Sequence, residues 1–314
     1  MQKAGFLFVP GPSVAKAVFS KLAATPEQLL LKLTGRGLVV PPATHTQALA
    51  YLRYVGGYRL KGYWFHAVDP NTKRFPPGYT FDHLVQRCEF DRELRAATIA
   101  AIDRLEVAIR TAMANYLSLA HSPHWFLDTR IFKPTHKWGM GRFIKKIEDE
   151  VARSKGKRFV GHYMAHYDEP YLPPSWVVCE CVSFGLWSHT YSILRNATDK
   201  KAISKKFGVD QVDVFESWMH TLTVVRNIAA HHGQFLKVAL GVSPSAYKSK
   251  SITFGNPKSF FSAATVIQYL LIQTGLPQTW AKDLDSIFSR YPLVDIADVG
   301  FPANWKSGAG WQVV

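Results

Sequence analysis

The chain has 314 residues, of which 47% are hydrophobic and 13% aromatic, enough for one large packed domain or two modest ones, so it cannot be wholly disordered. No apolar run reaches the roughly 18–20 residues that a membrane-spanning helix needs. Lys and Arg number 38 against 23 Asp and Glu, a formal charge of +15 with a pI near 9.7. That excess favours a polyanionic partner, nucleic acid foremost, by raising its local concentration and releasing its counterions. Such a charge also suits an anionic membrane surface or plain solubility.

The opening stretch from Ala4 to Pro12 is too short and too proline-broken for a secretory signal. A loose arm is expected over the first ten or so residues, and a cytoplasmic protein overall. Cys88, Cys179 and Cys181 are the only cysteines. Cys179-Glu180-Cys181 lacks the two-residue gap of a redox or zinc pair, so buried free thiols are expected.

Thr25-Pro26-Glu27 reads as a helix start, a cap residue before proline at the first helical position. Gly35-Arg36-Gly37 ends that helix. A second is predicted from Thr44 to Val55, stopped by Gly56-Gly57. Tyr58 to Phe65 then reads as a short strand or an irregular packing segment. The strongest helical signal spans Thr80 to His121, with Ile102, Leu105, Ile109, Met113 and Tyr116 at helical spacing. One basic helix is predicted over 140–167 and an apolar one from Ser175 to about Leu194. Lys200-Lys201 and Lys205-Lys206 form a further basic patch. A helix from about Val209 to Ala230 should carry Phe215, Met219 and Leu222 inward and end near Gly233. Helices over Ser259–Thr274 and Gln278–Arg290, and a packed clip at Phe301 to Trp305, complete an all-α chain. No internal repeat is visible.

The chemistry-bearing segment is Arg226-Asn227-Ile228-Ala229-Ala230-His231. Cleaving RNA at a 2′-hydroxyl needs a group that moves protons near neutral pH and a cation that stabilises charge on the phosphorus oxygens. His231 and Arg226 supply those two functions without a metal. Five residues rotate a helix by about 140°, so this pair does not stack, whereas Asn227 and His231, four apart, do. A long arginine can still swing toward the histidine, and Asn227 could orient the imidazole or contact the ribose. The alternative is a set of solvent-facing residues at a helix terminus, where histidine suits the dipole.

Arg226-Asn227-x-x-Ala230-His231-His232, with Trp218 upstream, resembles the signature of AbiD/AbiF-type abortive-infection proteins, a branch of the HEPN superfamily. Further matches come in the expected order: Tyr58-Arg59-Leu60-Lys61-Gly62-Tyr63-Trp64, Glu89-Phe90-Asp91-Arg92-x-Leu94-Arg95, and Glu106-Val107-Ala108-Ile109-Arg110-Thr111. Leu172-Pro173-Pro174-x-Trp176, Ser183-Phe184-Gly185 and Phe301-Pro302-x-Asn304-Trp305 extend the series. Past the histidines this chain reads Gly233-Gln234-Phe235-Leu236-Lys237, where relatives often continue with arginine and Trp-Asn.

The resemblance implies an HEPN-like helical bundle with short N- and C-terminal helical extensions, divided as a 1–79 segment packing on an 80–236 core, then a 237–314 extension. It implies phage defence and kinship with the nuclease modules of type VI CRISPR effectors. It assigns acid/base work to His231, phosphate stabilisation to Arg226 and positioning to Asn227, in a homodimer that brings two Arg/His pairs to one cleft. The products expected are 2′,3′-cyclic phosphate and 5′-hydroxyl ends. Some relatives are paired with a small non-coding RNA, which makes such an RNA a second expected partner. A non-catalytic RNA-binding role is the alternative.

Glu106 and Arg110, four apart, are either a surface pair or, by family position, support for the Arg/His cleft, as is His232. Lys145, Lys146, Lys157, Arg158, Lys205 and Lys206 are the expected RNA-contacting cations, the 142–158 stretch being either an RNA track or a solvated face. Tyr58, Tyr63 and Trp64 either stack on bases or pack in the core. His162 and His166 have the spacing of a metal-binding pair but lack the glutamate of a zinc-protease motif. No metal, cofactor or membrane partner is expected.

Overall fold

The computed structural model describes residues 18–20, 22–133 and 139–311, and the expected N-terminal arm lies outside them. The chain is all-α, and its described residues form isolated β-bridges but no strand. It divides into two compact units, Met1–Phe81 and Asp82–Val314.

In the first unit, α1 (Pro26–Thr34) starts with a capping box: the Gln28 N–H donates to Thr25 Oγ1 and the Thr25 N–H to Gln28 Oε1. Helix α2 (His45–Tyr51) runs into a π-turn over Leu52–Gly56. Gly56, at φ +91°, turns the chain, and Gly57 opens a new helix, α3 (Gly57–Trp64), instead of ending one. The strand or irregular segment expected at Tyr58–Phe65 is therefore helical. Leu60, Tyr63 and Trp64 are buried at positions i, i+3 and i+4, a helical stripe that the aromatic composition obscured. Core packing accounts for Tyr63 and Trp64, while Tyr58 is fully exposed.

The second unit is organised on α4 (Phe81–Ala120), 40 residues long and so about 60 Å. Ile102, Leu105, Ile109 and Met113 are fully buried along it. The expected basic helix is two: α5 (Met140–Arg153) and α6 (Arg158–His166). Phe143, Ile147 and Val151 form the buried stripe of α5, and Val160 and Tyr163 that of α6. An unbroken helix would place Val160 about 180° from Val151, so both stripes can be buried only if the chain turns between them.

The apolar stretch also divides, into α7 (Ser175–Val178) and α8 (Phe184–Ile193). Two cations hold carbonyls at the break: Arg110 Nη1 donates to the Cys179 oxygen at 3.5 Å, and Lys157 Nζ to the Glu180 oxygen at 2.8 Å. Helices α9 (Ala197–Lys205), α10 (Val212–Ala230), α11 (Phe260–Thr274) and α12 (Trp280–Arg290) come next. Phe215, Met219 and Leu222 of α10 are fully buried, as expected.

The Phe301–Trp305 clip is packed as anticipated: the Phe301 ring meets those of Phe261, Phe288, Trp305 and Trp311 at centroid distances of 4.9–5.9 Å. Replacing Phe301 by Ala should destabilise the protein by about 3–5 kcal/mol through lost burial and the cavity left behind. Urea denaturation measures this, and a loss below about 1 kcal/mol would show that the clip is not part of the core.

Candidate functional site

The centre of the site is a carboxylate of α4. Glu106 is buried, and its two oxygens serve different arginines: Oε2 accepts from Arg110 Nη2 at 2.7 Å and Oε1 from Arg226 Nε at 3.2 Å. Of the two readings of the Glu106/Arg110 pair, the surface one fails, because Glu106 is inside and reaches α10. The Arg226 side chain remains 45% exposed, so its guanidinium is tethered on one edge yet open to solvent.

Asn227, His231 and His232 are also exposed. The His231 N–H donates to the Asn227 oxygen at 3.0 Å, so helical register persists to His231 and its Cα lies one turn above Asn227. The chain then leaves the helix through two bonds. The His232 N–H donates to the Ala229 oxygen at 3.2 Å and the Gly233 N–H to the Ile228 oxygen at 2.7 Å, the Schellman pattern. The left-handed residue of that motif is His232, at φ +59°, not the glycine expected to serve there. Gly233 is required for another reason: a Cβ on it would lie 2.7 Å from Ile228 Cγ2 and 3.0 Å from the Ile228 oxygen.

A second buried carboxylate fixes the segment beyond the helix end. Asp91 is fully buried, and its Oδ1 accepts the N–H groups of Phe235 and Leu236 at 2.9 and 3.3 Å. Its Oδ2 pairs with Arg95, whose Nη1 also donates to the Gly233 oxygen at 3.4 Å. Asp91 and Arg95 belong to the Glu89–Arg95 motif, but nothing in their spacing announces a partner some 140 residues downstream. Lys237 continues the anchoring, with its Nζ 3.3 Å from Asp298 Oδ1 and its N–H on the Asp298 oxygen.

The six expected RNA-contacting cations occupy three places. Lys145 lies on the exposed face of α5, 3.2 Å from Asp149, whose hydrogen bond raises the ammonium's pKa. Lys146 is half-buried on the same helix, near His189. Lys157 caps the Glu180 oxygen and lies over the Phe159 ring at 5.7 Å, whereas Arg158 at the start of α6 is exposed. Lys205 and Lys206 are exposed at the end of α9. Lys200 does not belong to the patch read from the sequence. It is buried, with Nζ 2.8 Å from both Glu216 Oε2 and the Ser192 oxygen.

Between α8 and α10 lies a polar groove of about 470 Å³ lined by His189, Asp213, Glu216, Ser217 and His220. Burial, and secondarily the charge of Lys146, pushes His189 below its ordinary pKa. No motif or spacing along the chain announces this groove. Cys88 and Cys179 are buried and Cys181 half-buried, all free. Burial pushes the Cys179 thiol up to about 12, which makes it unreactive near neutral pH. The His162 and His166 rings lie 4.3 Å apart, and no cluster of three or more potential ligands forms among the described residues.

The sequence that folds into this frame matches a known family. The model of the Abi-like proteins matches residues 50–237, more than half of the chain. The chain belongs to this abortive-infection family, whose setting is defence against phage. No curated protein and no solved structure matches it.

Because Arg95 is itself buried, Asp91→Ala strands a charge as well as freeing the Gly233–Leu236 segment. A loss of about 3–5 kcal/mol is expected, partly recovered in Asp91→Ala/Arg95→Met. Equal stability of both variants in a denaturant series would contradict this coupling.

Proposed function

We propose that this protein is an HEPN-type RNA-binding protein of phage defence that cleaves RNA without a metal. The observation that carries the reading is the Glu106 carboxylate, buried and shared between Arg110 and Arg226, which tethers one solvent-open guanidinium in the last turns of α10, the helix that ends at the exposed His231. One carboxylate between two arginines leaves one net positive charge, suited to a phosphate. A guanidinium tethered through Nε also loses less side-chain freedom on binding than a free one.

In the reaction proposed, a His231 imidazole takes the proton from a ribose 2′-hydroxyl, whose oxygen attacks the adjacent phosphorus. Arg226 neutralises the charge developing on the non-bridging oxygens, and Asn227 orients the ribose or the imidazole. The departing 5′-oxygen takes a proton, for which a homodimer provides a second His231 in the same cleft. The products are a 2′,3′-cyclic phosphate and a 5′-hydroxyl. The same excess of positive charge would draw a structured small non-coding RNA as a regulatory partner.

His231→Ala should abolish cleavage and cellular toxicity and leave thermal stability nearly unchanged, since an exposed residue leaves no cavity. The proton-transfer group typically contributes on the order of 10²–10⁴ in rate. Arg226→Ala should inactivate as well and weaken RNA binding, and wild-type activity should survive EDTA. Wild-type protein that binds RNA tightly but cuts no substrate would make it a non-catalytic RNA binder. Full toxicity of His231→Ala would end the nuclease reading.

RNA affinity should fall with salt, with a log–log slope of roughly −0.7 per phosphate neutralised on a single strand. Charge reversal at Lys205, Lys206 and Arg158 should flatten that slope. An affinity indifferent to salt would remove the basic surface from the interface.

A further inference from the structure

A cleft of about 760 Å³ opens where α6, the 167–174 loop and α7 meet, with Pro123 and His124 also in its lining. That volume falls within the roughly 300–1,000 Å³ of small-molecule sites. Its walls are aromatic and open to solvent: Trp176 is 50% exposed, Tyr167 56% and Phe159 39%. Monomers seldom leave three large rings so exposed around one hollow without a partner for them. The cleft also carries polar groups, Arg158, His162 and Glu169. Arg158 is exposed and forms no ion pair with the described residues, while its neighbour Lys157 is committed to the Glu180 oxygen.

The walls are held in place. The Ser175 N–H donates to the Pro123 oxygen at 2.8 Å, and its hydroxyl lies 2.7 Å from that of Ser118 on α4. The Tyr163 hydroxyl donates to the Pro170 oxygen at 2.7 Å. Arg110, which bonds Glu106 with one nitrogen, reaches the Cys179 oxygen with another, and Cys179 Sγ donates to the Trp176 oxygen at 3.2 Å. The segment bearing Trp176 is thus joined through Arg110 to the carboxylate that holds Arg226.

We propose that this cleft takes an unpaired base of a single-stranded RNA, stacked on Trp176 and Tyr167 with its phosphate on Arg158. The inference rests on the RNA reading of the Arg226/His231 site and names the form of RNA the protein receives. Flat rings accept any base by its π-face, an unpaired guanidinium selects a phosphate over a neutral peptide, and a net charge of +15 gathers the polyanion. A duplex hides the faces of its bases and gains nothing from the cleft.

The test compares a single-stranded RNA containing 2-aminopurine with a duplex of the same sequence, bound to wild type, Trp176→Ala, Tyr167→Ala and Trp176→Phe. Wild type should quench the 2-aminopurine. Trp176→Ala should lose that quenching and bind the single strand about ten- to a hundredfold more weakly, while duplex affinity stays unchanged. Tyr167→Ala should show a smaller loss, and Trp176→Phe should retain most of the affinity. Single-strand binding and quenching at wild-type levels in both alanine variants would overturn the stacking site and leave RNA binding standing. Binding of a proline-rich peptide that depends on Trp176, without any effect on RNA, would overturn it in favour of a protein partner. Wild type that binds neither RNA would overturn both this inference and the RNA reading.

Discussion

A carboxylate withdrawn from water costs several kcal/mol unless charge and hydrogen bonds replace its hydration, and α4 withdraws two. Asp91 and Glu106 are fifteen residues apart, about four turns, and each finds an arginine one turn further along the same helix. Neither is fully satisfied by that partner. Asp91 turns its other oxygen to the backbone of Phe235 and Leu236, and Glu106 turns its own to Arg226. The end of α10 and the chain after it are thereby fixed to α4 at two heights, and the residues between the anchors are the Asn227–His232 stretch. An apolar pair at either place would bury as well, but it would not fix the direction in which Arg226 and the 233–236 backbone lie.

The helix end itself reflects the same economy. A Schellman motif needs a residue at positive φ, and glycine meets that need without steric cost. Here His232 occupies the position, and the glycine is displaced to a place where any side chain would collide with Ile228. A non-glycine residue in the left-handed region is uncommon, although histidine is among the types enriched there. It holds that conformation because the Asp91–Arg95 pair fixes the next peptide units, which leaves both imidazoles at the exposed end of α10.

The long periodic elements were readable from the sequence: α4, α10, α11 and α12 lie where spacing placed them, and Ile102, Ile109, Phe215 and Leu222 are as buried as expected. The misreadings share one cause. At Tyr58–Trp64, 154–157 and 179–183 the local text is ambiguous, and the outcome is decided by what lies across the core: a buried stripe in the first, two stripes half a turn out of phase in the second, and cation-held carbonyls in the third. The candidate site was legible as a list of residue types. Family position offered Glu106 as support for the Arg/His cleft, but its direct pairing with Arg226 was not legible, because the partners are 120 residues apart and no local pattern encodes that meeting. The aromatic cleft was hidden for the same reason: Trp176 stands in the Leu172–Trp176 motif, but nothing in that motif points to Phe159 or Tyr167.

The count of 38 lysines and arginines overstates what a polyanion can meet. Lys200, Arg95 and Arg110 are spent on buried or half-buried partners, Lys157 on a carbonyl, and Lys145 shares its charge with Asp149. Exposed ion pairs of the last kind contribute little and yield readily to a competing phosphate, so Lys145 stays available, whereas Lys200 does not. Arg158, Lys205 and Lys206 remain exposed without an ion-pair partner among the described residues. On the proposed reading, cations left free in this way and the half-neutralised Arg226 set the number of phosphates bound. A binding slope that counts the free cations, and not every lysine and arginine, is the physical consequence of a fold that commits so many of them to its own carboxylates and carbonyls.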